Sequence, residues 1–127
     1  MDTPIYNAHS TASDALWATV PILTLPREKM ASRVAASLVM SLGMPELVVR
    51  NMAEYIEVAV ILGSSPRKSG KVRSKLSAAR REGAARGGMF DVGGWMVKYE
   101  AGLRIARELA VHGAVARHIV VAGIPGK

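Results

Sequence analysis

The residues best suited to chemistry lie close together near the start of the chain. Asn7, Ala8, His9, Ser10 and Thr11 precede a helix-forming run, and Asp14 follows in or near its first turn. A helix start leaves backbone N–H groups without intrahelical acceptors and carries the positive end of the helix dipole, so it attracts anions. His9 adds a ring donor, Ser10 and Thr11 add two hydroxyls, and Asp14 offers an acceptor for sugar hydroxyls. The set suits a nucleotide diphosphate. The same residue types are ordinary helix caps, and on spacing alone capping is the commoner use. The two uses are compatible, since one hydroxyl can both cap and bind.

A second candidate is electrostatic. The segment Arg67 to Arg86 holds eight basic side chains against Glu82 alone, a net +7, while the rest of the chain balances to zero. Such a run suits phosphates of nucleic acid or an anionic lipid surface. No aromatic residue lies between Tyr55 and Phe90, so it has no stacking platform for single strands. A solvated helix face is the plainer account of it. His112 and His118 stand six apart with few carboxylates nearby, which makes a poor metal site. Arg33 sits among alanines and valines, where a buried guanidinium would need a carboxylate partner. Met30, Met40, Met44 and Met52 fall on apolar faces and are expected in the core.

These residues need elements to position them, and the pattern alternates strand with helix. Met1 to Tyr6 reads as a short strand limited by Pro4, and the helix that follows stops at Pro21. Pro21 to Pro26 is a nearly continuous apolar run, the mark of a buried strand. Glu28 to Leu42 carries the strongest helical periodicity, closed by Gly43 and Pro45. Glu46 to Val49 is a brief strand candidate, and Asn51 caps a helix that stops at Gly63. The basic segment is expected as a surface helix with a narrow stripe of Val72, Leu76 and Ala79. Gly83 to Gly88 reads as a flexible break. Trp95 to Val111 forms the last helix, with Asp91 as its cap, and Ile119 to Ala122 pairs as a strand or covers a groove. Strand–helix alternation argues for α/β with a parallel sheet, here small and incomplete.

Composition narrows the rest. The chain has 127 residues, half of them hydrophobic and 21% charged, which excludes a disordered or low-complexity chain. Its length fits one domain or part of one. With no cysteine, disulfide scaffolds, thiolate metal sites and thiol nucleophiles are excluded. The stretch from Val34 to Pro45 is too short to span a bilayer, and the N-terminus lacks the basic and apolar regions of a secretory signal. The expected location is cytoplasm or nucleus.

Several blocks together resemble a known family. Asp2-Thr3-Pro4-Ile5-Tyr6-Asn7-Ala8-His9-Ser10-Thr11 with Asp14 and Leu16-Trp17-Ala18 is similar to the donor-binding segment of O-GlcNAc transferases and SPINDLY-like glycosyltransferases, family 41. The likeness continues through Pro21 to Pro26 and Ala31-Ser32-Arg33-Val34-Ala35-Ala36-Ser37. It extends through Leu42 to Leu47, Glu54-Tyr55, Phe90-Asp91 and His118 to Val121. The family usually has glycine where this chain has Ala8, Thr19 and Arg27.

The resemblance implies a GT-B architecture of two Rossmann-like halves. Residues 1–127 would then be a C-terminal portion of the second lobe, an incomplete domain. It implies transfer of N-acetylglucosamine from UDP-GlcNAc to Ser or Thr of proteins, with His9, Ser10 and Thr11 on the UDP diphosphate and Asp14 on the ribose. It implies no metal or other cofactor, a protein acceptor as partner, and an N-terminal catalytic lobe lying upstream of these residues. This portion alone supplies UDP binding and is expected to be inactive. The alternative is a non-enzymatic remnant that binds anionic partners, nucleic acid or lipid, through the basic helix 67–86.

Overall fold

In the computed structural model, residues 2–85 and 88–121 are described. Among them are five α-helices, α1 (Ser10–Trp17), α2 (Val34–Ser41), α3 (Met52–Ser64), α4 (Pro66–Ala85) and α5 (Val92–Val111). Short 3-10 turns at Met30–Ser32 and Pro45–Leu47 lie between them. The chain divides between Phe90 and Asp91 into two compact units.

The first unit is built on helix ends. α2 closes with the Gly43 N–H donating to Met40 O and the Met44 N–H to Val39 O, with Gly43 at φ +66°. This is a Schellman end, and it brings buried Met44 against buried Val39 in the core, where Ala12, Leu16, Ala35, Leu47 and Leu76 also pack. α1 ends in the same way, with Thr19 N–H to Leu16 O and Val20 N–H to Ala15 O. Here the left-handed position is held by Thr19 at φ +58°. A β-branched residue is strained there, and this is one of the positions where the family resemblance expects glycine.

The expected small parallel sheet is not found among the described residues. The Pro21–Pro26 run and the segment after the second 3-10 turn lie side by side in parallel register, but they share only the isolated bridge Thr24 to Val48. Thr24 N–H donates to Leu47 O and Val49 N–H to Thr24 O, both at 3.0 Å. Pro21 and Pro26 bound one segment and the Pro45–Leu47 turn consumes the start of the other, so no ladder can grow. Of the expected Met1–Tyr6 strand, residues 2–6 keep one backbone bond to the neighbouring run, Asp2 N–H to Leu23 O, and Met1 lies outside the described residues. The described fold is mostly helical.

The long helix expected over Glu28–Leu42 is broken at Arg33, whose φ of −123° separates the 3-10 turn from α2. Arg33 therefore stays exposed and takes part in no ion pair among the described residues, contrary to the buried pair expected of it. Met30, Met40 and Met52 are also exposed, and only Met44 of the four methionines enters the core. Asn51 caps α3 by accepting from Glu54 N–H, as expected, and Gly63 lies inside the last turn.

α4 packs on α3 and α1 along the expected stripe, with Leu76 fully buried and Val72 and Ala79 against the same core. It continues through 83–85, where a break was expected; Arg86 and Gly87 lie outside the described residues. In the second unit, Asp91 caps α5 through Gly94 N–H at 2.9 Å. α5 begins at Val92 and buries none of its residues, so Val97, Leu103 and Ile105 remain exposed. The segment after α5 returns alongside it, with Val121 beside Gly102, and forms no strand; Ala122 lies outside the described residues.

Thr19→Gly relieves the left-handed threonine and is expected to stabilise the chain by roughly 0.5–1 kcal/mol after glycine's entropic cost. Thermal unfolding followed by circular dichroism checks this. Leu76→Ala, which empties a site with no exposure, is expected to cost about 2–5 kcal/mol in a urea titration.

Candidate functional site

The loop leading into α1 is fixed by one buried carboxylate. Asp2 Oδ1 accepts from Thr3 N–H at 2.9 Å and Ala8 N–H at 2.7 Å, and its Oδ2 accepts from the Thr24 hydroxyl at 2.8 Å. The Asp2 carbonyl accepts the Tyr55 hydroxyl at 2.6 Å. The loop is thereby pinned at both ends, to the Pro21–Pro26 segment and to α3. Asn7, fully buried, donates its N–H to Ala31 O at 2.8 Å and its Nδ2 to Thr3 O at 2.9 Å. Its Oδ1 is buried without a hydrogen-bond partner among the described residues.

His9 is the N-cap residue of α1, and its side chain does not cap. The His9 ring instead stacks on Tyr6, with centroids 4.7 Å apart and planes 20° apart, and its Nε2 lies 3.3 Å from Ala31 O. The first helical N–H groups, those of Ser10 and Thr11, donate to no protein acceptor among the described residues. Both side chains are exposed, and no side chain caps the helix. The mouth of α1 thus keeps free donors and an uncompensated dipole end.

These groups border an open pocket of about 450 Å³ lined by Asp2, Thr3 and Tyr6 to Ala8 of the loop and by His9, Ser10 and Thr11. Sequence-predicted His9, Ser10 and Thr11 are brought together here. Asp14 is exposed one turn further along α1 and does not line the pocket. Ala8 takes no positive φ, so its methyl group is not strained where the family resemblance expects glycine. Asp2, Tyr6, Asn7 and the Ala31 carbonyl were missed by sequence reasoning. Their role depends on contacts across the fold that no spacing encodes.

The basic segment is partly committed to packing. Arg80 donates to Trp17 O at 2.7 Å and lies over the Trp17 ring, Arg73 donates to Thr19 O, and Lys75 pairs with Glu46 at 2.6 Å. Arg67, Lys68 and Lys71 are exposed, with Arg81 turned to Ser77. His112 and His118 are exposed in the second unit. No helix of the described chain is long and apolar enough to cross a membrane.

Burial pushes the pKa of the Tyr55 hydroxyl up, and the Asp2 charge acts in the same direction. The neutral phenol is therefore favoured in the folded chain. Its contribution is complete below the unfolded value of about 10 and is lost as pH rises through the folded one. Stability is expected to fall above about pH 10, and Tyr55→Phe should flatten that part of the curve while costing about 1 kcal/mol at neutral pH. Urea titrations across this range test both.

Comparison with known proteins points one way. The sequence model of glycosyl transferase family 41 matches residues 1–96. A UDP-N-acetylglucosamine–peptide N-acetylglucosaminyltransferase of Caenorhabditis elegans is 41% identical over 92 residues, 72% of this chain and 8% of the relative. A probable enzyme of the same description, SEC of Arabidopsis thaliana, is 44% identical over 81 residues, 63% of this chain and 8% of its own length. A mutant O-GlcNAc transferase of Thermobaculum terrenum superposes with a TM-score of 0.70 at 30% identity, covering 89% of this chain and 21% of that one. The chain thus spans a small part of the length of the proteins it matches. By the extent of the sequence match and the shared fold, the chain belongs to glycosyl transferase family 41.

Proposed function

We propose that the chain supplies the UDP-binding part of a protein O-GlcNAc transferase, an enzyme that moves N-acetylglucosamine from UDP-GlcNAc to Ser or Thr hydroxyls. The observation that carries this reading is the mouth of α1, where His9, Ser10 and Thr11 surround an open pocket with unbonded N–H groups. The diphosphate sits there and the ribose hydroxyls reach Asp14. The relatives' names supply the donor and the peptide acceptor as the chemistry to expect. The donor is a substrate, and no metal or other cofactor is invoked.

Residues 1–127 are read as the C-terminal half of the second lobe of a GT-B domain. The other lobe would organise the acceptor and complete the charge stabilisation of the leaving UDP. One helix mouth supplies only part of that stabilisation, so the chain by itself binds UDP and transfers nothing. The setting is cytoplasm or nucleus. The competing reading, a remnant binding polyanions, keeps Arg67, Lys68 and Lys71 as its free charges, since Arg73, Lys75 and Arg80 are engaged within the fold.

UDP titrated into the chain and followed by backbone amide NMR is expected to give saturable shifts from Ala8 to Asp14. His9→Ala should weaken binding by roughly 10- to 100-fold, the worth of one charge-assisted hydrogen bond. Asp14→Ala should weaken UDP while leaving inorganic pyrophosphate unaffected. Shifts confined to α4 that ignore His9→Ala, together with a steep salt dependence, would transfer the function to the basic helix.

A further inference from the structure

The way His9 is held has a chemical consequence that follows from its partners. A carbonyl oxygen can only accept, so the contact of Nε2 with Ala31 O places a proton on Nε2. A neutral imidazole carries one N–H, and here it is used by the fold. Nδ1 is then a lone pair, which repels a phosphate oxygen. Only the doubly protonated ring can donate from Nδ1 while keeping its bond to Ala31. The Ala31 carbonyl is available because the expected helix is broken into a 3-10 turn over Met30–Ser32, and it also accepts the Asn7 N–H. On the other face of the arrangement, Tyr6 stacks on the imidazole and opposes its rotation. A ring π-face also favours a cation stacked upon it.

We infer that Tyr6 and the Ala31 carbonyl hold His9 in its Nε2–H form, so that His9 meets the donor diphosphate through Nδ1 as an imidazolium, with Tyr6 as a positioning residue for the donor. This rests on the donor reading of the α1 mouth. Where the free ring is neutral, donor binding then takes up a proton at His9. Asp2 and Tyr6 share the pocket lining with His9, and the elements that hold the ring also carry Asp14 on α1 and Lys29 and Arg33 flanking the 3-10 turn. Of these, the Asp2 carboxylate is already engaged by Thr3, Ala8 and Thr24.

The test is two-bond 1H–15N NMR of the full chain with labelled histidine, where exposed His112 and His118 serve as references. UDP-GlcNAc is the probe, because its diphosphate diester carries no group that titrates near neutrality. In the free chain, wherever the His9 ring is neutral, its proton is expected on Nε2. At saturation it is expected with both nitrogens protonated, and affinity should be weaker at alkaline than at mildly acidic pH. Tyr6 is largely exposed, so Tyr6→Ala leaves the fold intact; it should weaken UDP-GlcNAc by roughly 2- to 10-fold and mix the two tautomers. Tyr6→Phe, which keeps the stack, should retain both the affinity and the ring pattern. An Nδ1–H ring in the free chain, a neutral ring in the saturated complex, or a Tyr6→Ala chain with unchanged affinity and tautomer overturns the proposal alone. Absence of saturable amide shifts at Ser10 to Asp14 overturns the donor reading and the proposal with it.

Discussion

A carboxylate taken out of water must be surrounded by donors, and the first unit is organised around that requirement at Asp2. It is 7% exposed, and its two oxygens accept from two loop N–H groups and a threonine hydroxyl. Each donor comes from a segment that would otherwise be free to move. Thr3 and Ala8 belong to the loop before α1, and Thr24 belongs to the extended run between two prolines. The Tyr55 hydroxyl reaches the same residue's carbonyl from α3, 53 positions further along the sequence. Loss of the carboxylate would leave the buried Thr24 hydroxyl and the partly buried Ala8 N–H unpaired, a larger cost than the bonds themselves contribute.

The second constraint is the break at Arg33. A continuous helix over Glu28–Leu42 would bind the Ala31 carbonyl to an amide four residues on. The 3-10 turn releases it, and that oxygen receives both the Asn7 N–H and the His9 ring. An irregularity in one helix thus shapes the mouth of another. Buried Ser32, whose hydroxyl returns to Lys29 O at 2.8 Å, stabilises the turn locally. The departure from regular helix is therefore a specified feature, consistent with side chain–backbone bonds competing with helix geometry.

What could be read from the sequence was local. The mouth of α1, the caps at Asn51 and Asp91, the left-handed Gly43 and the stripe of Val72, Leu76 and Ala79 all depend on residues within a few positions of each other. The two caps, Gly43 and the stripe appear as expected, and α1 starts at Ser10 as its sequence suggests but without a side-chain cap. Features requiring distant partners were not legible. The periodicity of Glu28–Leu42 is unbroken in composition, so nothing in it marks Arg33 as the junction. The apolar run at Pro21–Pro26 reads correctly as buried and extended, but whether a ladder grows depends on its neighbour, which spends its first residues in a turn. Met30 and Met52 satisfy helical spacing, yet one falls in the 3-10 turn and the other in an exposed first turn.

The two ends of α1 are treated differently by the fold. At its C-terminal end, Arg80 bonds the Trp17 carbonyl and Arg73 the Thr19 carbonyl, so the negative pole of the dipole is met by fixed positive charge. At its N-terminal end the positive pole faces an open pocket. α1 has eight residues and is about 12 Å long, little more than one screening length in physiological salt. Part of what looks like a charged surface therefore serves as the back contact of a short electrostatic lever. Ionic strength acts on that lever from behind, through arginines that never touch an anion bound in front.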